Sequence, residues 1–337
     1  MILVTGGTGL VGAHLLLQLA EGKKAIRALY RTETGKIKAK KLFEHYNKAN
    51  LFDTIEWAEG DITDIPSLEA AFANVTHVYH CAGYISFDPG DEELLRKVNI
   101  EGTANVVNCA LAYGVRKLCH VSSVAALGDP REDESVITEE TEWNPEITHS
   151  DYAISKHGAE MEVWRARQEG LDVVIVNPGI IFGYGFWAQG SGRMFKAVNN
   201  GQYFYTKGSC GVISVEDVTT IMTELMNSDI SGERYILVAG QLSYDEMLFA
   251  IADGLGKKRP AIYASRFLTS VAWRLDWLLS KLVRRKRLMT RAMAAASHNH
   301  ENYDNSKIKG VLNFKFRDVK QYLKMLAETL LSSGHLQ

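Results

Sequence analysis

Cysteine is scarce in this chain of 337 residues, and Cys81, Cys109, Cys119 and Cys210 stand apart, with neither CxxC pairs nor histidines at metal-ligand spacing. That scarcity excludes a disulfide framework and a zinc site and fits a reducing cytoplasm. Charge of one sign is missing too. The 38 basic and 40 acidic side chains leave a formal net charge of -2, so no global field is available to hold nucleic acid, a membrane or an acidic partner. A small-molecule substrate is the expectation. Met1 runs directly into the strand-like Ile2-Leu3-Val4, without the basic and apolar regions of a signal peptide, and the reading expects a cytoplasmic protein that is not exported. Internal repeats and low-complexity segments are absent.

What the sequence does contain is alternation. Short apolar runs at Ile2 to Thr5, Ala25 to Tyr30, Thr76 to Cys81 and Lys117 to Ser122 read as strands. Leu10 to Glu21 and Glu92 to Tyr113 carry apolar residues at three-to-four spacing and read as helices. Strand and helix in turn imply an α/β fold with a doubly wound parallel sheet, whose ligands bind at the carboxyl ends of the strands. After Val176 the pattern loosens into the Gly-rich stretch Gly179 to Gly192, further strands at Val212 to Val215 and Arg234 to Val238, and several helices. The expected organisation is a nucleotide-binding unit over 1–176, to which later segments return, and a mainly substrate-binding, capping lobe over 177–337.

Thr5-Gly6-Gly7-Thr8-Gly9-Leu10-Val11-Gly12 follows the first strand and opens the first helix, as a dinucleotide fingerprint requires. Gly6 permits the tight turn, Gly9 lets the backbone approach a pyrophosphate, and Gly12 allows close packing of helix on strand. The helix N-terminus favours the anion. At the end of the second strand no acid is present to accept the ribose 2′-hydroxyl of NAD. Arg31 stands there instead, followed by Lys36 and Lys38, and a guanidinium can clamp a 2′-phosphate, so the expected cofactor is NADP, with NAD as the alternative.

Tyr152 and Lys156 lie four residues apart on one helical face. A phenol with a pKa near ~10 is a poor base at neutral pH, but a neighbouring ammonium and an oxidised nicotinamide favour the phenolate. Tyr152 can then exchange a proton with a carbonyl or an alcohol. His120-Val121-Ser122-Ser123 ends another strand and brings hydroxyls to the edge that carries the glycine loop. Ser123 is the expected donor to the reacting oxygen, stabilising charge that develops there.

With these motifs in order, the sequence resembles the extended or atypical short-chain dehydrogenases/reductases, the NAD-dependent epimerase/dehydratase superfamily, over most of its length. The resemblance implies a Rossmann-type fold and an NAD(P)-dependent oxidoreductase. It assigns Gly6, Thr8, Gly9, Leu10, Val11 and Gly12 to the pyrophosphate loop, Asp61 and Ile62 to adenine, and Ala82 and Gly83 to the ribose. Tyr152 and Lys156 join the cofactor contacts, Asn99 supports the active site, and Asn177, Pro178 and Gly179 line the nicotinamide. Arg27 to Arg31, Val121 to Gly128, Val176 to Gly179 and Tyr303-Asp304-Asn305-Ser306-Lys307 are similar to the dihydroflavonol-4-reductase-like branch, which reduces ketones or aldehydes with NADPH. Sugar-nucleotide dehydratases carry Thr-Asp-Glu at the strand end where this chain has Ser123-Val124-Ala125, so elimination is not expected. A nucleotide-sugar epimerase with tightly bound NAD, a 3β-hydroxysteroid dehydrogenase-like enzyme and a noncatalytic NADP sensor remain alternatives, and a homodimer is expected from resemblance.

Other features are read as structural. His77, His80 and His120 lack the carboxylate spacing of a metal triad. Glu139, Glu140 and Glu142 read as a solvated loop, while Phe182, Tyr184, Phe186 and Trp187 suit either a substrate pocket or packing. Arg266 to Val283 carries an apolar helical stripe followed by Arg284-Arg285-Lys286-Arg287. A lid helix facing the substrate lobe with a solvated basic end is preferred over an interfacial membrane contact. Arg274, Asp276 and Lys281 interrupt the stretch, so no transmembrane span is expected.

Overall fold

The computed structural model describes residues 1–130, 135–283, 287 and 289–333. Within the described residues, seven strands form one parallel sheet: β1 Ile2–Thr5, β2 Ile26–Tyr30, β3 Glu56–Glu59, β4 His77–His80, β5 Lys117–Val121, β6 Asp172–Pro178 and β10 Glu233–Leu237. Their spatial order is β10-β6-β5-β4-β1-β2-β3. The order reverses at β1, which pairs in parallel with β2 on one side and β4 on the other, and such a switch point opens a crevice at the carboxyl edge.

Both sheet faces are covered, which explains strands that read as continuous apolar runs. Leu3, Val78, Leu118, Val173 and Ile175 belong to one buried cluster, and their alternate neighbours Val4, Tyr79, Cys119, Val174 and Val176 to the other. Helices α1 Leu10–Glu21 and α2 Glu33–His45 cover the second face. Helices α3 Ile65–Phe72, α4 Gly102–Ala112 and α5 Asp151–Gln168 cover the first. The helix expected over Glu92 to Tyr113 is not uniform. Glu92–Leu95 is α-helical, Arg96–Glu101 is a π-helical stretch, and α4 resumes at Gly102.

After β6 the chain leaves the sheet and returns. Strands β7 Ile180–Phe182, β9 Ser209–Ser214 and β11 Gly240–Ser243 make a three-stranded sheet, while β8 Phe204–Tyr205 pairs with β12 Ile262–Tyr263. Helix α6 Val215–Asn227 packs on the large sheet. Its C-terminal carbonyls are capped by the buried Lys117 Nζ, which donates to Leu225 O at 2.6 Å and Ser228 O at 2.7 Å, a cation at the negative end of a helix. Strand β10 then takes the edge beside β6. The Tyr303 to Lys307 segment lies against it, with Asn305 Nδ2 donating to Val238 O at 2.5 Å and Lys307 Nζ paired with Glu233 at 2.7 Å.

The apolar stripe of α7 Arg266–Val283 corrects the lid-helix expectation, because its apolar residues point to solvent rather than into the lobe: Phe267 is 78% exposed and Leu282 79%. Of the basic run that follows, only Arg287 lies within the described residues.

Candidate active site

The loop between β1 and α1 forms a cradle of bare backbone. Gly6 has φ +67°, and a Cβ there would lie 2.6 Å from the backbone nitrogen of Ala82. A Cβ on Gly12 would overlap the Gly6 carbonyl, so only glycine lets α1 sit this close to the turn. Gly9 caps the helix, no side chain accepts from its first-turn N–H groups, and no acid occupies that turn. These donors and the positive helix end fit a pyrophosphate. Thr8 abuts Gly35, where a Cβ would meet its Oγ1 at 3.1 Å. Leu10 and Val11 are half-buried beneath the cradle, with Leu10 Cδ1 close to Gly183.

Arg31 lies just past β2, its side chain 65% exposed, with its guanidinium 3.5 Å from Asp61. Burial works against ionisation of Asp61, but hydrogen bonds from the Thr63 backbone and hydroxyl, at 2.9 Å each, together with Arg31 hold its carboxyl below the usual range. Ile62 is buried, with its side chain against Gly102, so Asp61 presents the side chain here. Lys36 is already engaged, its ammonium 4.8 Å from the Tyr30 ring centroid, whereas Lys38 is exposed on α2.

Helix α5 starts at the Ser150 cap, whose side chain accepts from Ala153 N at 3.2 Å, and this places Tyr152 in the first turn. Burial raises the Tyr152 pKa, while a hydrogen bond with the Ser123 hydroxyl lowers it. Lys156 is buried one turn on, and its Nζ donates to Val121 O at 2.9 Å. Burial pulls its pKa down to about 8, opposed by the negative charge of Glu160 and by Cys81. A Cβ on Gly83 would come within 3.9 Å of Lys156 Nζ, so the Ala82-Gly83 turn borders the ammonium. Ser123, Tyr152, Lys156 and Gly83 therefore meet at one edge, next to the cradle.

Asn99 fixes this arrangement from behind. Its Oδ1 accepts from Tyr84 N at 2.7 Å, and its Nδ2 donates to Tyr84 O and to Ser155 Oγ, both at 2.9 Å. It sits inside the π-helical stretch, a distortion that frequently accompanies functional positions.

A second buried network escaped the sequence reading. Glu160 is fully buried, accepts from Asn177 Nδ2 at 2.5 Å and pairs with Arg234 Nη1 at 3.4 Å. Desolvation raises its pKa against the pull of Ser122, Arg234, Asn177 and Lys156. The same Asn177 amide donates to Ser123 O at 3.0 Å, so its side chain serves the strand end. Pro178 ends β6, and Gly179 follows so close to Gly211 that a Cβ would overlap the Gly211 carbonyl. The available signal for Glu160 was its spacing four residues beyond Lys156, on the same helical face.

Glu139 is not part of a solvated loop. It is buried, its Oε1 accepts from Ile236 N at 2.8 Å, and its carbonyl accepts from Arg234 Nε at 2.8 Å. With Glu140, Glu142 and Trp143 it borders a cleft of about 560 Å³ on a different face of α5, beside His157 rather than Tyr152. Phe182, Tyr184 and Phe186 are buried, and Trp187 packs edge-on against Tyr184 and Phe195, which is the packing alternative. His80 bridges Thr5 Oγ1 at 2.7 Å and Thr103 Oγ1 at 3.0 Å, and burial next to Lys156 lowers its pKa to about 3. His120 is buried beside it, while His77 bonds Thr76 at 3.0 Å.

A glycine cradle at the switch point of a parallel sheet, facing a helix that offers a tyrosine and a buried lysine, defines an NAD(P)-binding enzyme of the short-chain dehydrogenase/reductase class. The chain belongs to the NAD dependent epimerase/dehydratase family, whose profile matches residues 2–236. It is 29% identical over 262 residues to sterol demethylase protein B of Methylococcus capsulatus, covering 77% of this chain and 76% of that protein. It is 28% identical over 192 residues to the bifunctional dihydroflavonol 4-reductase/flavanone 4-reductase of Pyrus communis, spanning 54% of each chain, so it matches about half of that enzyme's length. In structure it resembles gox2253, with a TM-score of 0.81 and 27% identity over 100% of this chain and 99% of the other. It is thus an extended short-chain dehydrogenase/reductase, a family of NAD(P)-dependent oxidoreductases, epimerases and dehydratases.

Proposed function

We propose that this protein is an NADP(H)-dependent reductase that converts a ketone or aldehyde to an alcohol with Ser123, Tyr152 and Lys156. The observation that carries this reading is the meeting of the Tyr152 phenol, hydrogen-bonded to Ser123, with the buried Lys156 beside the Ala82-Gly83 turn. The pyrophosphate would lie on Gly6, Gly9 and Gly12, and the adenosine end near Asp61 and Arg31. The nicotinamide supplies the hydride when bound. The chain supplies the rest. Ser123 orients the carbonyl oxygen by a hydrogen bond, and Tyr152 gives its phenolic proton to that oxygen as the C=O π bond breaks. The Lys156 ammonium and the positive end of α5 stabilise the phenolate that remains until solvent returns the proton.

Burial raises the pKa of the phenol, which suits a donor in the reducing direction. The strand end continues as Val124 and Ala125, without carboxylates for elimination. Arg31 favours the phosphorylated cofactor, because its exposed guanidinium is oriented by Asp61 and can still reach a 2′-phosphate. The lobe formed mainly by 177–337 supplies substrate contacts in this reading, and the active unit is a homodimer, which light scattering tests.

The experiment is fluorescence titration with NADPH and NADH, followed by turnover on a panel of aldehydes and ketones, for the wild type, Arg31→Ala and Tyr152→Phe. Expected are a preference for NADPH that Arg31→Ala removes, and a Tyr152→Phe variant that binds NADPH but loses roughly 10²–10⁴-fold in turnover. Full turnover by Tyr152→Phe, or co-purified NAD without net oxidation of added substrate, would overturn the proposal and point to the epimerase.

A further inference from the structure

Helix α7 is amphipathic in the inverted sense. Its buried positions are Thr269 and Ser280, and Thr269 Oγ1 lies 3.0 Å from His298 Nε2. Asp276 also faces the protein, accepting from Met289 N at 3.1 Å. Phe267, Val271, Leu275, Leu278, Leu279 and Leu282, spaced three and four apart, form one stripe, and every one of them is exposed. A helix this apolar on its outer side forgoes the stabilisation that burial would give, and contiguous exposed patches of this kind mark interaction sites. The chain enters α7 from β12, and the short β8–β12 pair carries exposed apolar side chains of its own, with Tyr203 at 70% exposure and Phe204, Ile262 and Tyr263 also exposed.

The charge around the stripe narrows the occupant to one kind. From Arg266 to Arg291 the sequence carries eight cationic side chains and one carboxylate, Asp276, although the whole chain has a net charge of -2. Three of these cations, Arg284, Arg285 and Lys286, lie outside the described residues, and Arg266, Arg274, Lys281, Arg287 and Arg291 alone still outnumber the one carboxylate five to one. The Arg274 guanidinium stands 4.5 Å from the Trp273 ring centroid and the Lys281 ammonium 4.2 Å from that of Trp277, placing cation and indole together at the flank of the stripe. A second copy docking through α7 would set like charge against like charge. An anionic bilayer meets both features, with acyl chains for the stripe, headgroup phosphates for the cations and an interfacial zone that suits tryptophan. Among the described residues no helix is long and apolar enough to cross a membrane.

We propose that α7 and the adjoining β8–β12 edge form a docking surface for an anionic phospholipid bilayer, with the helix lying along the interface and its stripe at the acyl boundary. The test is co-sedimentation of the full chain with phosphatidylcholine vesicles and with vesicles that also contain phosphatidylglycerol, at low and high salt, with tryptophan emission recorded in parallel. Two exposed-site variants accompany the wild type, Leu275→Glu with Leu282→Glu, and Arg274→Glu with Lys281→Glu. Circular dichroism and NADPH titration check that both remain folded. The wild type is expected to partition onto the anionic vesicles, with a blue-shifted emission, and to be released by salt. Each double variant is expected to bind roughly tenfold more weakly or less. The proposal is overturned if the wild type stays in the supernatant with anionic vesicles, or if the Leu275→Glu, Leu282→Glu variant binds like the wild type. It is equally overturned if that variant only breaks a self-assembled species that never binds vesicles.

Discussion

Replacing Glu160 tests whether the buried network beneath the strand end holds the site together. In Glu160→Ala, Asn177 Nδ2 loses its 2.5 Å acceptor and Arg234 loses its carboxylate, while the carbonyls of Ser123 and Glu139 still accept from them at 3.0 Å and 2.8 Å. Removing one partner of a buried ion pair costs roughly 3–5 kcal/mol. The surviving bonds to Asn177 and Arg234 place the expected loss at the lower end, about 3 kcal/mol. Glu160→Gln keeps the volume and the acceptor for Asn177 but turns its amide NH2 toward Arg234, so a loss smaller than that of alanine, about 2 kcal/mol, is expected. Urea unfolding followed by circular dichroism measures both. An alanine variant as stable as the wild type, or a glutamine variant as damaged as the alanine one, would refute the reasoning.

Two further predictions follow from the same geometry. Lys156 carries a depressed pKa of about 8, so its proton is present below that value and lost as pH rises through it. Turnover in the reducing direction is expected to be level below neutrality and to fall above pH 8, and Glu160→Gln, by removing the charge that supports the ammonium, moves the inflection to lower pH. A pH-rate profile of each protein checks the direction. Gly12→Ala places a methyl group on the Gly6 carbonyl, which is expected to cost roughly 1–3 kcal/mol of stability and to weaken NADPH binding, measured by thermal denaturation and fluorescence titration.

Much of the frame was legible because its signals are local. The β1 strand, the glycine cradle and α1 lie within the first 21 residues, and the spacing of Tyr152 and Lys156 is a property of one helix. Strand β3, Glu56-Trp57-Ala58-Glu59, was not legible, since an edge strand with two glutamates lacks the apolar run of a central one. Glu160 was missed because its partners, Asn177 and Arg234, come from β6 and β10, and only the folded sheet brings them to α5. Glu139 reads as solvated because a run of acids usually is, whereas the backbone of β10 supplies this one with a donor. The stripe of α7 was visible as periodicity, but periodicity does not say which side of a helix meets the protein. The net charge is silent in the same way, since a sum over the chain conceals how its signs are distributed, here eight cations and one carboxylate between Arg266 and Arg291.

The π-helical stretch between Leu95 and Gly102 also acts as a phase shifter. One residue of an α-helix advances the face by about 100°. The wide turn absorbs one residue more than an α-helical turn needs, so Leu95 before it, Val98 within it and Thr103, Val106 and Val107 after it are all buried. Asn99, in the interval, is released from that periodic constraint and can address the Tyr84 backbone and Ser155 at once. Deleting a single residue here is expected to restore an even helix and turn the amide away from both, so the seating of Ser155 and α5 depends on the length of this segment as much as on its composition.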